Sequence, residues 1–539
     1  MVGCFGVLLT CIVVRDWRSL WSQAWSSLSE EWREQWSTGN PEAKGLIAKV
    51  IIAFVIGIYL VSIGPVNQPD AADYHAGYPY QFFLNKRYII DGGLTQGLMG
   101  LGDFAHLSSF QERTTWLIRS IQILPLLPLV LVLKKYKTSN LWILALLTAP
   151  IFIGWATVGK PMFLGDSCIA GSYLIWAQKP GQTRLSLLAS SLILGISFKV
   201  SALIIALPIV LDIAYRHIAG SKGDSGTVLP GNKIIWIVPL ASLALFVILI
   251  VDRWHLTGNP AFPLLTKVFT PLNLESQEFE SYLKSFGRDD SMFPLSLFIP
   301  LKPGNMASVL GPACGLASIT SITTIFWKNT AYKKITLVAI MQLLCLGLFG
   351  QWRADYYSVP IILLVAGGIP NHQWPKGAEI LRLTYKAIYG FSLTAQLIIF
   401  SLMATMSIYQ TGFAMINYES AMNQWAYGYQ ASRELMGIKK PSLNLAFRET
   451  RLFYDKNYID PSQYRACLRE QMNSATNFTH QQLAESCLLK IGASKVLVNS
   501  GELKNSKTAT CHQKNVFLGQ RNLFNNRRLM VDYCDINPK

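Results

Sequence analysis

The chain has 539 residues, 51% of them hydrophobic and only 15% charged, and its mean hydropathy is +0.29. That balance inverts the polar excess of a water-soluble protein and excludes water as the main solvent of the fold. The net charge of +17 would suit nucleic acid, but the basic residues stand in short clusters between apolar runs, so we read them as topology signals and lipid-headgroup contacts and expect no nucleic-acid partner.

Residues 2 to 14 are apolar but too short to span about 30 Å of hydrocarbon at 1.5 Å per residue. Trp17, Trp21, Trp25, Leu28, Trp32 and Trp36 follow at three- or four-residue steps, which puts them on one face of a helix opposite Arg, Glu and Ser. Residues 1–44 therefore read as an N-terminal segment with an interfacial amphipathic helix, or with an ordinary helix docked on protein.

Candidate spans follow at 45 to 64, 116 to 133, 141 to 158, 162 to 178, 185 to 198, 200 to 214, 234 to 251, 307 to 327, 335 to 349, 357 to 369 and 387 to 408. The stretch 185 to 214 reads as two helices broken near Lys199. With that break, the loops holding Lys134, Lys135 and Lys137; Lys179 and Arg184; Arg216, His217, Lys222 and Lys233; Lys328, Lys333 and Lys334; and Lys376, Arg382 and Lys386 all fall on the cytoplasmic side. Loops 65–115 and 252–306, the turn 350 to 356 and everything from 410 onward then lie outside.

The nine cysteines agree with that topology. Cys4, Cys11, Cys168, Cys314 and Cys345 lie in or beside apolar segments, whereas Cys467, Cys487, Cys511 and Cys534 share the polar terminal region and allow two disulfides. No CxxC or Cys/His ligand spacing links those four, so disulfides in an oxidising compartment are preferred to a zinc site. The terminal region 411–539 reads as a mixed domain, helical around 415 to 436 and 479 to 490, with strands at Lys495 to Val498 and Leu529 to Tyr533. Asn477-Phe-Thr matches a glycosylation acceptor, a three-residue pattern that an unmodified loop also produces.

Polar groups that bear chemistry concentrate on the outer side. Pro69-Asp70-Ala-Ala-Asp73-Tyr74-His75 comes just after the first span, with Asp91 and Asp103 later in the same loop. Glycosyl transfer from a lipid-linked donor needs a base for the acceptor hydroxyl and cationic or metal help for the departing phosphate. A carboxylate with a neighbouring His supplies the first need; a solvated helix cap is the other reading of the same residues.

Asp166 opens an otherwise apolar span, where a carboxylate costs a few kcal/mol unless it faces a cavity or partner. Lys199, at the break, either meets a phosphate or snorkels. Gln351-Trp352-Arg353-Ala354-Asp355-Tyr356-Tyr357 sets an arginine at the bilayer surface, as a bidentate phosphate contact or an interfacial anchor. The 252–306 loop carries Thr257-Gly-Asn-Pro-Ala-Phe-Pro263 and the acidic Glu275, Glu278 and Glu280, and it is long enough to cover a groove.

At these residues, over roughly 45 to 410, the chain resembles the GT-C superfamily of multispanning glycosyltransferases that use polyprenyl-phosphate sugars. The resemblance rests on Asp70-Ala-Ala-Asp73-Tyr74-His75, Asp166, Gly258-Asn259-Pro260-Ala-Phe262-Pro263 and the Arg353 turn. The glycine-punctuated Gly93-Leu94-Thr95-Gln96-Gly97-Leu98-Met99-Gly100-Leu101 resembles a loop of uncharacterised bacterial members.

The residues read as a polytopic α-helical membrane protein of about eleven transmembrane helices, with its N-terminus cytoplasmic and a small α+β extracytoplasmic C-terminal domain, and the resemblance implies that it is GT-C-like and sits in a bacterial inner membrane. The resemblance further implies a 45–410 transmembrane domain that moves a sugar from a polyprenyl-phosphate donor to a lipid, glycan or protein acceptor. Asp70 or Asp73, with His75, would be the acceptor base; Asp166 would be a second acidic site residue; and Lys199, Arg353 and Tyr356 would bind donor phosphate. Asp70 and Asp166 would hold a divalent cation (Mg or Mn) if one is used. The chain lacks the adjacent Asp-Glu pair that better-known branches carry in the first loop, which leaves metal dependence and the choice between Asp70 and Asp73 open. Two other readings remain: a transporter or flippase, which would show repeated halves, and a non-catalytic envelope assembly protein.

Overall fold

The structure, a computed structural model, describes residues 41–66, 70–86, 100–110, 117–136, 138–178, 180–220, 236–262, 268–269, 295–299, 309–323, 330–348, 354–367, 379–433, 435, 440–446, 451–453, 458–459, 461–474, 479–503, 506, 508–520 and 526–537. The amphipathic tryptophan segment, Asp91, most of the glycine-punctuated run, Glu275, Glu278, Glu280, Arg353 and Asn477 lie outside the described residues.

Every one of the candidate spans between 45 and 408 carries helix among the described residues, and one more α-helix lies in the 65–115 loop. In chain order these are α1 (Pro41–Ser62), α2 (Gly77–Asn85), α3 (Leu126–Lys135), α4 (Asn140–Leu147), α5 (Pro150–Val158), α6 (Met162–Gln178), α7 (Gln182–Phe198), α8 (Ala202–Gly220), α9 (Ile237–Thr257), α10 (Pro312–Thr323), α11 (Thr330–Leu348), α12 (Ser358–Ala366) and α13 (Glu379–Ile416). The break expected near Lys199 is present: Lys199 is extended, with φ −153° and ψ 118°, between α7 and α8.

About eleven spans were expected, a count that the described residues do not confirm. Among the described residues, two helices are long and apolar enough to cross a bilayer, Ile237–His255 and Thr384–Ile416, or three if α4 and α5, bent by 49° at their break, form one span. Several of the other helices are shortened by interruptions: Pro150 starts a new helix after Thr148, Pro125 precedes α3, and Lys199 splits the 185–214 stretch.

The chain is nonetheless a multi-pass membrane protein. Leu203, Leu207, Val210 and Leu211 form an exposed stripe on α8, and Leu240, Leu243, Val247, Val251 and Trp254 form another on α9. Stripes of this size at helical spacing would not tolerate water and fit lipid.

Between helices, a large cluster of buried apolar side chains, Ile58, Phe152, Tyr173 and Leu363 among them, packs closely, and small residues and buried amides fix where the helices cross. α6 and α7 cross at Gly165 and Gly195, where a Cβ on Gly165 would stand 3.3 Å from the Gly195 Cα. Gln396 of α13 donates from Nε2 to the Ala145 carbonyl at 2.6 Å and accepts from the Ala313 amide at 3.1 Å, tying three helices.

The helix that crosses residue 410 runs on to Ile416, and the terminal domain follows. Its expected helical stretch resolves into α14 (Tyr418–Trp425) and a single turn, Tyr429–Ser432, separated by Gly428 at φ +70°. Then come β1 (Ser442–Asn444), α15 (Pro461–Ser474), α16 (His480–Lys490), β2 (Lys495–Asn499), β3 (Ala509–Gln520) and β4 (Asn526–Ile536). The sheet order is β1-β2-β4-β3, with β1 parallel to β2 and the other pairs antiparallel. The four cysteines pair as Cys467–Cys487, joining α15 to α16, and Cys511–Cys534, joining β3 to β4.

Candidate active site

The site is assembled where the 65–115 loop meets the ends of the helices beneath it. Its floor is a polar clamp. Arg119, 2% exposed, donates to the carbonyl of Val61 at 2.5 Å, of Pro65 at 3.0 Å and of Ala156 at 3.4 Å, satisfying groups left open at the ends of α1 and α5. Thr411 of α13 adds a bond to the Ile63 carbonyl at 2.9 Å. The chain therefore leaves α1 along a fixed path.

Beyond it, Ala71–His75 winds as a π-helix, with the Ala76 amide donating to the Ala71 carbonyl at 2.9 Å. Such five-residue windings cluster at functional sites. Asp70 stands at the start of this turn and forms an ion pair with Lys160, their side chains 24% and 16% exposed. Asp73 is buried inside it at 2% exposure.

His75 closes the turn. Its Nδ1 lies 2.6 Å from Oδ1 of Asp103, which comes 28 residues later, and its ring lies against that of Tyr74, tilted by 41° with centroids 4.0 Å apart.

Asp103 sits on the 3-10 helix Leu101–Ser109, where residues three apart share one edge. Its Oδ2 accepts the Gly100 amide at 2.8 Å, while the next residue on that edge, His106, donates from Nε2 to the Gly159 carbonyl at 3.2 Å. Burial pushes the His106 imidazole down to about 4, against the opposing pull of the Asp103 carboxylate. Glycine at 100 and 102 is required by close approach. A Cβ on Gly100 would collide with the Phe198 carbonyl, and one on Gly102 would stand 2.7 Å from Pro161. The 3-10 helix is thereby pressed onto both the Gly159-Lys160-Pro161 turn and the end of α7.

That same turn leads into α6 and reaches the second group of predicted residues. Lys199 Nζ lies 2.8 Å from Met162 Sδ and 4.2 Å from the centroid of the Tyr356 ring. Asp166, 6% exposed, accepts a hydrogen bond from Ser358 Oγ, and Lys199 and Asp355 are its charged neighbours. Leu452 of the terminal domain packs with Ala71, Ala72 and Phe110, so that domain sits against the loop.

The structure thus brings Asp70, Asp73, His75, Asp166, Lys199 and Tyr356 into one continuous neighbourhood built on segments 70–75, 100–106, 159–166, 197–199 and 354–358. Arg353 falls outside the described residues. The sequence reading had not singled out Lys160, Ser358 or His106. The signal for Lys160 was the Gly-Lys-Pro turn interrupting two apolar runs; Ser358 and His106 carried none.

The residues do not fit a preformed divalent-cation centre. Among the described residues no three His, Cys, Asp or Glu side chains converge, Asp70 is matched to Lys160, and Asp166 to Ser358. No step below is routed through a metal.

No family model and no curated protein matches the chain. Among solved structures, ArnT from Cupriavidus metallidurans in the apo state is similar at 13% identity with a TM-score of 0.48, covering 91% of this chain and 98% of that one. The Archaeoglobus fulgidus oligosaccharyltransferase in its apo form is similar at 10% identity with a TM-score of 0.42, covering 83% and 69% respectively. The archaeal oligosaccharyltransferase AglB from the same organism, in complex with an inhibitory peptide and a dolichol-phosphate, is similar at 12% identity with a TM-score of 0.40.

Proposed function

We propose that the chain is a membrane glycosyltransferase that moves a sugar from a polyprenyl-phosphate donor to a lipid, glycan or protein acceptor at the outer face of a bacterial inner membrane. The observation that supports this reading is a chain of contacts: Asp70 pairs with Lys160 and His75 with Asp103, the Gly100 turn presses on Phe198, and the next residue, Lys199, lies over Tyr356 near the buried Asp166. Broken helices in membrane proteins are tolerated chiefly where they line a cavity.

The chemistry then divides between the two halves of the site. The acceptor oxygen attacks the anomeric carbon, a group of the 70–75 turn takes its proton, and the bond from that carbon to the phosphate oxygen breaks. The electron pair leaves on polyprenyl phosphate, whose growing charge meets Lys199. Tyr356 fixes the ammonium from below. The extracytoplasmic placement follows from the basic loops on the opposite side and from two disulfides in the terminal domain.

The test supplies membranes containing the protein with a panel of labelled polyprenyl-phosphate sugars and compares Asp70→Asn, Asp73→Asn and Asp166→Asn. Carrier-dependent transfer that falls by about 100-fold or more in at least one variant supports the assignment. Equal transfer in all three would sink it.

A further inference from the structure

Three groups in the 70–75 turn compete for the role of proton acceptor, and their surroundings separate them. Asp70 is engaged by Lys160. Asp73 is 2% exposed, which hinders its approach to an acceptor hydroxyl. His75 is held differently: one ring nitrogen, Nδ1, is committed to Asp103 at 2.6 Å, and Nε2 makes no hydrogen bond to any described residue, with 9% of the side chain still exposed.

Asp103, in turn, is fixed on both oxygens. Oδ1 faces His75, Oδ2 accepts the Gly100 amide at 2.8 Å, and the side chain is 1% exposed. A carboxylate only accepts hydrogen bonds, so in the neutral imidazole the proton must sit on Nδ1, leaving the lone pair on Nε2. A base whose tautomer is set by a third group in this way is a recurrent arrangement for activating hydroxyls.

Resting on the glycosyl-transfer reading above, we infer that Asp103 is a positioning residue which holds His75 with Nδ1–H toward its Oδ1, making His75 Nε2 the atom that takes the acceptor hydroxyl proton. As the acceptor oxygen bonds to the anomeric carbon and polyprenyl phosphate departs with the electron pair, the O–H proton moves to Nε2. The imidazolium is stabilised by the adjacent carboxylate, then returns the proton to solvent or to the departing phosphate. His106, on the same 3-10 edge, also faces Asp103, but the residue is completely buried, its Nε2 bonded to the Gly159 carbonyl and its Nδ1 closed off from solvent, so it does not compete for the acceptor.

Asp103→Asn makes a sharp test because the Gly100 amide dictates how an asparagine would sit. That amide demands an oxygen, so the asparagine nitrogen would turn to His75 and donate to Nδ1, moving the ring proton to Nε2. The full chain in detergent is assayed for transfer and, with 15N-labelled histidine, for the tautomer of His75, its signal among seven histidines identified by its loss in His75→Gln.

The expected result is an Nδ1–H tautomer in the unsubstituted protein and an Nε2–H tautomer in Asp103→Asn. The kcat of the variant is expected to fall about 10²- to 10⁴-fold with KM nearly unchanged. Wild-type kcat in Asp103→Asn, or an unchanged tautomer, overturns the inference. If Asp103→Asn does not fold, His75→Gln decides: full kcat in that variant overturns it, and a comparable loss at unchanged KM supports it. If the unsubstituted protein transfers from no donor, the glycosyltransferase reading fails, while the spectrum alone still decides whether Asp103 sets the tautomer.

Discussion

The two halves of this protein are held together by different means. In the membrane half, an apolar cluster that includes Ile58, Phe152 and Leu363 is pinned by polar side chains reaching backbone carbonyls across helices, with Arg119 on three carbonyls and Gln396 bridging α4 and α10, and by glycine crossings such as Gly165 on Gly195. In the terminal domain, two small apolar clusters around Leu497 and Val516 and around Leu443 and Val496 flank a four-stranded sheet, and two disulfides close it. The difference follows from solvent. Lipid offers helices no hydrophobic reason to associate, so hydrogen bonds and close packing decide; water drives burial, but a small domain buries too little and gains from covalent closure.

The contrast breaks most visibly on reduction. The disulfides close loops of 20 and 23 residues, each expected to contribute about 3 kcal/mol. Dithiothreitol, or Cys→Ser at both pairs, is therefore expected to unfold or loosen the terminal domain while the membrane half keeps its helical signal. Limited proteolysis followed by mass spectrometry reads this directly, and cleavage spread equally over both halves would contradict the division.

The converse substitution, Arg119→Met, removes the donor from three carbonyls and should cost about 3 kcal/mol in detergent. Thermal unfolding of the membrane half should drop while the disulfide-closed domain keeps its protease resistance.

The third test sharpens the picture at the site itself. His106 has a folded pKa of about 4 against the ordinary 6.5, because burial disfavours its charged form. Between those values the unfolded chain binds a proton that the native chain does not. Stability is therefore complete above pH 6.5, declines as the pH falls toward 4, and declines no further from this source below it. The whole loss is about 3.5 kcal/mol at most, two and a half pH units at about 1.4 kcal/mol each. His106→Gln should flatten the acid slope of the unfolding midpoint, and an unaltered slope would show that the ring is not buried as a neutral group.

Legibility in the sequence followed the range of the interactions concerned. The helical segments were readable because apolar runs of helical length are local, and the break at 199 because a lysine inside such a run needs an exit. The terminal strands β2 and β4 announced themselves through Val, Leu and Tyr. β3, reading Thr-Cys-His-Gln-Lys-Asn over its first half, offered no apolar alternation and went unread. Asp70, Asp166 and Lys199 stood out as charges beside apolar runs. Ser358, whose hydroxyl meets Asp166 from 192 residues away, could not stand out, since a serine opening a helix is common and its partner is set by how α12 packs on α6.

By itself, then, the sequence determined the solvent of this protein, the positions of its helices, the partition of its cysteines and the loop in which its acids lie, because each of these is a property of a run of neighbours. Tertiary structure alone decided that Lys160 answers Asp70, that Asp103 rather than a nearer carboxylate holds His75, and which of three cysteine pairings forms. Those outcomes depend on the angles at which helices cross and on which glycines let a loop settle onto a helix end, and they emerge only when distant segments pack against one another.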